Sequence, residues 1–264
     1  MSSISVLIII LFALMTIVGG KQGMVSFFSV ALNFFILFIT VILISGGFPI
    51  LGVSLFAGIC ILAITIYMGN NDERSTNVAF IATVIVMLIM IILIIPFDHM
   101  VQIQGFSNEE SEEVEAFNLL IGINFESLAI ATTILSTLGA IAEASIAVAS
   151  GLEELIAQNS DITVTQLYKS GRNIGFQIMG MTFNTLFFGM FGGNLALFIL
   201  LYKLHASFGY YLNSKIFVGE SMSVLYSAIA VILVIWITTY LMGRKLNSLQ
   251  ETTADLNKQD KRDL

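Results

Sequence analysis

Glu143 stands alone as an ionisable residue deep inside a long apolar run of this 264-residue chain. A carboxylate in that setting can carry a proton or bind a cation. It is costly enough in lipid that it normally faces a bundle interior or a wet cavity. The blander reading is a carboxylate paired with a neighbouring helix or wetted from one side. Downstream, a second uncharged run carries Asn173, Gln177, Thr182, Asn184, Thr185 and Asn194. Gln177 and Asn184 are seven residues apart, so they share one helical face with Gly180, and that face is too polar to look at lipid. The candidate polar path is therefore Glu143, Asn173, Gln177, Asn184, Thr185 and Asn194. The alternative is that the amides and hydroxyls only cross-link helices.

Other chemistries close on inspection. There is no GxxxxGK[ST] phosphate loop. His99 and His205 have no HExxH neighbour, and isolated histidines of this kind rarely ligate a metal. Glu153 and Glu154 are followed by Gln158 where a glutamate-pair protease of the prenyl-protease type has arginine. The spans counted below contain no aspartate, which excludes a two-aspartate intramembrane protease. We expect no enzyme, no cofactor and no resident metal. Basic residues are few, and in the tail Glu251, Asp255, Asp260 and Asp263 balance them, so no nucleic-acid partner is expected.

The elements that must position these groups follow from composition. Hydrophobic residues make up 57% of the chain and charged residues 11%, against roughly 45–50% and 25% in soluble domains. The mean hydropathy is +0.93. The solvent is lipid. A hydrocarbon core of about 30 Å takes about 20 helical residues, and the charges divide the chain. Spans are expected at 5–19, 24–45, 50–68, 78–95, 127–150, 173–202 and 221–243. Gly46-Gly47-Phe48-Pro49 marks the turn between the second and third, and Pro96 closes the fourth. The first five residues bear no Lys or Arg, so the opening run reads as a span rather than a removable leader. Residues 97–126 form an acidic loop, with Asp98, Glu109, Glu110, Glu112, Glu113 and Glu115. Glu126 sits at its edge and is expected to be solvated. Gly151 to Arg172 reads as an amphipathic surface segment in which Thr163 to Gln166 has capping-box spacing. Residues 244–264 form a tail. Cys60 is single, so no intramolecular disulfide exists, and it is expected to be a small core filler.

The fold class is thus all-α, a polytopic transmembrane bundle of about seven spans. Lys and Arg fall nine on one side against two on the other, which puts the N-terminus outside and the C-terminal tail in the cytoplasm. Trp236 and Tyr240 suit the inner half of the last span. With that orientation Glu143 lies about 16 residues into its span, roughly 24 Å from the outer face.

Small residues suggest how spans meet. Gly139, Ala140, Ala142, Ala144 and Ser145 in the fifth, and Gly171, Gly175, Gly180, Gly192 and Gly193 in or near the sixth, allow close approach. The fifth and sixth spans are expected to pack together, bringing Glu143 to the amide face. The uncharged run 173–202 would measure about 45 Å as one helix, so a break or kink is expected near Gly192-Gly193-Asn194.

At this point the residues resemble a known family. Val18 to Gly23, Leu138 to Ala144, Ser170 to Gly175, Ile178 to Gly180, Asn184 to Leu186 and Gly192-Gly193 look like the YibE/F-like multi-pass membrane proteins of bacteria, in their shorter form. The family pattern has aspartate where this chain has Glu143, which keeps the charge, and aspartate again where it has Gln177, which removes one. The resemblance implies location in a bacterial plasma membrane and a longer homologous membrane protein as hetero-oligomeric partner. It implies no substrate. Two functions then fit: a transporter, or membrane subunit of a transport complex, for a small solute, ion or peptide; or a non-transporting scaffold that acts through a partner membrane protein.

Overall fold

The computed structural model describes residues 3–69, 73–101, 124–159, 161–203, 205 and 207–260, and it is helical throughout, with no strand among them. The helices are α1 (Ser3–Ser45), α2 (Ile50–Gly69), α3 (Glu73–Val101), α4 (Phe125–Gln158), α5 (Val164–Gly193), α6 (Leu195–Lys203), α7 (Phe208–Asn213) and α8 (Lys215–Asp260). Among the described residues six of these are long and apolar enough to cross a membrane: α1 to α5 and the Phe217–Gln250 part of α8. Most of the acidic loop, residues 102–123, lies outside the described residues.

α1 is two arms. Gly20 has φ 57° and ψ −133°, a backbone conformation that a side chain would strain. The chain doubles back there. Phe12 and Phe27 have ring centroids 4.9 Å apart, whereas fifteen residues of straight helix would separate them by about 22 Å. Gly23 lies against the Met15 backbone so closely that a Cβ would collide with its carbonyl. The arms form the outer layer and pack on α2. Polar contacts fix them there: Asn33 Nδ2 donates to Thr65 Oγ1 at 2.8 Å, and Gln22 Nε2 donates to the Met68 and Gly69 carbonyls at 3.1 and 3.2 Å, closing the C-terminal end of α2. The turn expected at Gly46 to Pro49 is present, with Gly47 at φ 88°.

The core is built from α2, α3, α4, α5 and α8, with α4 packing most extensively against α3 and α8. Leu62, Met87, Ile94, Ile141, Leu152 and Val231 are fully buried. α4 occupies the middle because its small residues admit four neighbours at once, α2, α3, α5 and α8. Ala140, Ala142, Ala144 and Ala149 are buried, and Ser145 Oγ reaches both the Ala79 carbonyl (3.1 Å) and Thr238 Oγ1 (3.0 Å). Isolated apolar helices gain nothing from hydrophobicity against lipid tails, so such close packing and interhelical hydrogen bonds hold the bundle.

Several boundaries differ from the sequence reading. α3 does not close at Pro96 but continues to Val101. Proline removes one N–H and kinks a helix, yet neighbouring helices can support the turn around it. Asp98 thereby enters a helix that is long and apolar enough to span, which overturns the statement that no span holds an aspartate. α4 runs on to Gln158 and α5 begins at Val164, so the 151–172 segment is helix on both sides of a short turn rather than a separate surface element. The capping box at its start is formed as its spacing predicts: the Thr163 hydroxyl accepts from Gln166 N, and the Gln166 side chain accepts from Thr163 N at 2.9 Å. The run 173–202 breaks at Asn194, between α5 and α6. Past Gly243 the chain stays helical to Asp260.

Candidate functional site

The residues of the expected polar path fall on outward faces, except Asn194, which is half-buried. On α4, Thr132, Ser136, Gly139 and Glu143 are exposed, with the helical spacing of one stripe. The Ala142 and Ala144 side chains on either side of Glu143 are buried. Among the described residues, the carboxylate thus projects from an exposed face of α4. On α5, Asn173, Gln177, Gly180 and Asn184 are exposed at the same spacing. The two helices touch where Gly151 meets Ile174, at a distance of 3.0 Å from a virtual Cβ to the Ile174 Cδ1. Three of the polar side chains are satisfied on their own helix. Asn184 Nδ2 donates to the Gly180 carbonyl at 2.9 Å, Thr185 Oγ1 to the Met181 carbonyl at 3.0 Å and Asn194 Nδ2 to the Met190 carbonyl at 3.0 Å.

The glycines separate into two groups. Gly171 and Gly175 are buried, but the helix they admit is α8. A Cβ at Gly171 would lie 2.5 Å from Thr239, and one at Gly175 would collide with Ile235. The close packing expected between the fifth and sixth spans is therefore mostly packing of α5 on α8. Glycines permit approach without choosing the partner. Gly139, Gly180, Gly192 and Gly193 have nothing within 4 Å of a Cβ.

Two arrangements escaped the sequence reading. The first is a cleft of about 240 Å³ between α4, α5 and α8, lined by Ser136, Thr185, Glu220, Ser223 and Ser227, among others. It continues the Glu143 stripe, because Ser136 is seven residues from Glu143 on the same face. Ser136 Oγ and Ser223 Oγ are 2.9 Å apart. The signal was available: Glu220, Ser223 and Ser227 have the spacing of one helical face.

The second arrangement lies at the opposite end of the bundle from Lys245. Asp98 is completely buried and accepts a 2.9 Å hydrogen bond from the Tyr226 hydroxyl, while its Oδ2 is buried with no hydrogen-bond partner among the described residues. Its neighbour His99 is exposed and pairs with Glu126 at 2.7 Å, so Glu126 has a partner where simple solvation was expected. Nothing in the sequence relates position 98 to position 226. No group of three or more His, Cys, Asp or Glu side chains able to hold a metal occurs among the described residues.

At the other end Lys245 Nζ donates to the Arg74 carbonyl at 3.0 Å and pairs with Glu153 at 3.3 Å. It ties α3, α4 and α8 together. Gln250 Nε2 reaches the Ile162 carbonyl at 3.1 Å, fastening the turn between α4 and α5 to α8.

No curated protein and no solved structure matches the chain. A family model does, that of the YibE/F-like proteins, over residues 7–248, which takes in every helix described above except the first turn of α1 and the last turns of α8. With that match, the helical bundle and its spans, the chain belongs to the YibE/F-like family of membrane proteins.

Proposed function

We propose that the chain is the membrane subunit of a transport complex, and that the outward polar face of α4 and α5 lines a path completed by a partner subunit. The observation that carries the reading is the position of Glu143. It lies in the middle of a helix long and apolar enough to span, on a face that is exposed among the described residues. A carboxylate facing hydrocarbon costs several kcal/mol, so its face has to be covered or wetted. A partner laid over Thr132, Ser136, Gly139 and Glu143 would enclose a route flanked by Gln177 and Asn184, leading toward the Glu220 cleft. The solute is a small molecule, an ion or a peptide. The partner is a longer homologous membrane protein, the membrane is the plasma membrane of a bacterium, and the basic end with Lys245 and Arg244 faces the cytoplasm. On this reading the N-terminus is outside and the two arms of α1 count separately, for seven spans. No catalytic role is assigned.

A scaffold without transport is the second reading. What favours it is that Asn184, Thr185 and Asn194 already spend their hydrogen bonds on their own helix. A pull-down of the tagged chain from native membranes tests the pairing. A longer homologous membrane protein recovered in near-equal amount supports it, and recovery of the chain alone overturns it. Glu143→Gln then separates transport from scaffolding. Transport predicts loss of ion or solute flux in reconstituted vesicles with the complex intact. An active, well-expressed Glu143→Gln complex removes Glu143 from the path.

A further inference from the structure

A groove of about 460 Å³ runs between α5 and α8, away from the Glu143 stripe. Its walls are nearly all apolar: Phe176 and Met179 on α5, and Ile232, Ile235, Trp236 and Tyr240 on α8. Its floor exists because Gly171 and Gly175 bring the two backbones together, so that the side chains on either side stand up as walls. The groove opens outward, with Trp236 74% exposed and Phe176 57% exposed. The lining spans Tyr168 to Met179 on one helix and Ile232 to Tyr240 on the other, about 12–16 Å of helix. That is about half of a 30 Å hydrocarbon core, the depth of one leaflet.

One end of the groove is basic. Arg172 lines it directly and lies 5.8 Å from the Phe176 ring centroid, while Arg244, one turn beyond Tyr240, lies 6.0 Å from the Tyr240 ring. Each guanidinium leans over an aromatic ring of the groove, from opposite helices. Neither is in a salt bridge with a carboxylate among the described residues, in contrast to Lys245, which is held by Glu153. The register of the helices sets this up. Tyr168 packs on Gly243, Gly171 on Thr239 and Gly175 on Ile235, an antiparallel alignment that puts Arg172 and Arg244 toward the same end.

We propose that this groove is a binding site for an anionic membrane phospholipid, with one acyl chain between Phe176, Met179, Ile232 and Trp236 and the phosphate held by Arg172 with Arg244. Guanidinium matches phosphate oxygens in a bidentate fork. An apolar trough of one leaflet's depth ending in two such groups has the polarity profile of a lipid. A soluble anion would use the arginines and leave the trough empty.

The test uses the full chain reconstituted in bilayers of equal phosphatidylglycerol and phosphatidylcholine, then released gently for native mass spectrometry. The wild-type protein is expected to retain phosphatidylglycerol over phosphatidylcholine by about thirtyfold, the ratio that two basic groups near a membrane surface supply at about 1 kcal/mol each. Arg172→Gln with Arg244→Gln is expected to bring the ratio to near one, while lysine at both positions preserves most of it. Ile232→Trp, which fills the trough and leaves the arginines in place, is expected to lose the retained lipid. An unchanged preference in the double glutamine variant overturns the proposal. A photo-crosslinker at Met179 that captures a polypeptide instead of lipid in native membranes also overturns it, because the groove is then a helix-docking surface.

Discussion

The Tyr226 hydroxyl donates a 2.9 Å hydrogen bond to Asp98 across 128 residues of sequence, and Asp98 has no accessible surface. α3 and α8 are joined by a polar pair inside an apolar bundle. Removing one member of such a pair strands the other, and a stranded buried group costs more than the bond itself contributed. Tyr226→Phe, which deletes only the donor, is therefore expected to destabilise the protein by about 1–3 kcal/mol. Combining it with Asp98→Leu should cost less than the sum of the single changes. A double-mutant cycle by denaturation in detergent measures the coupling, and strict additivity would remove the pair from the account.

The glycines of α5 and α4 should divide by position rather than by residue type. Gly171→Leu or Gly175→Leu puts a side chain into Thr239 or Ile235, so separation of α5 from α8 and a loss of about 3 kcal/mol or more are expected. Gly139→Ala and Gly180→Ala meet open space. In this chain alone they are expected to be neutral or to stabilise by up to about 1 kcal/mol, since alanine is the better helix former. Thermal unfolding of the four variants distinguishes the groups. If Gly180→Ala is neutral for the isolated chain but disrupts the complex, the α5 polar face belongs to the partner interface.

Lys245 holds the end of the bundle opposite Asp98. Its side chain is 26% exposed and that of Glu153 17%, which makes the pair stronger than a surface ion pair and weaker than a dry one. Lys245→Met is expected to cost about 1–2 kcal/mol, since it removes a charge-assisted hydrogen bond to Glu153 and another to the Arg74 carbonyl. The swap Lys245→Glu with Glu153→Lys should recover only the ion-pair part. Full recovery by the swap would show that the Arg74 carbonyl contributes nothing.

How much of this was legible follows from which physical forces act locally. The turn at Gly46 to Pro49 and the Thr163 cap depend on neighbouring residues, and both are where the sequence places them. Pro96 misled because a helix end was inferred from a missing hydrogen bond that the surrounding helices make tolerable. Gly20 is another local case: the chain reverses there, between the expected spans 5–19 and 24–45, and the arms meet with Phe12 against Phe27.

By itself the amino-acid sequence determined that this is a membrane helical bundle, and which stripe of its helix each of Glu143, Gln177 and Asn184 occupies. Helix period and lipid exclusion are properties of short segments, so they can be read from the chain. Only the tertiary structure decided partners. It sent Gly171 and Gly175 to α8 instead of α4, joined Asp98 to Tyr226, and left the Glu143 stripe exposed among the described residues. Those outcomes depend on which helix wins each neighbour. Several small-residue faces offer nearly equal close packing, and the choice among them is made by the whole bundle at once.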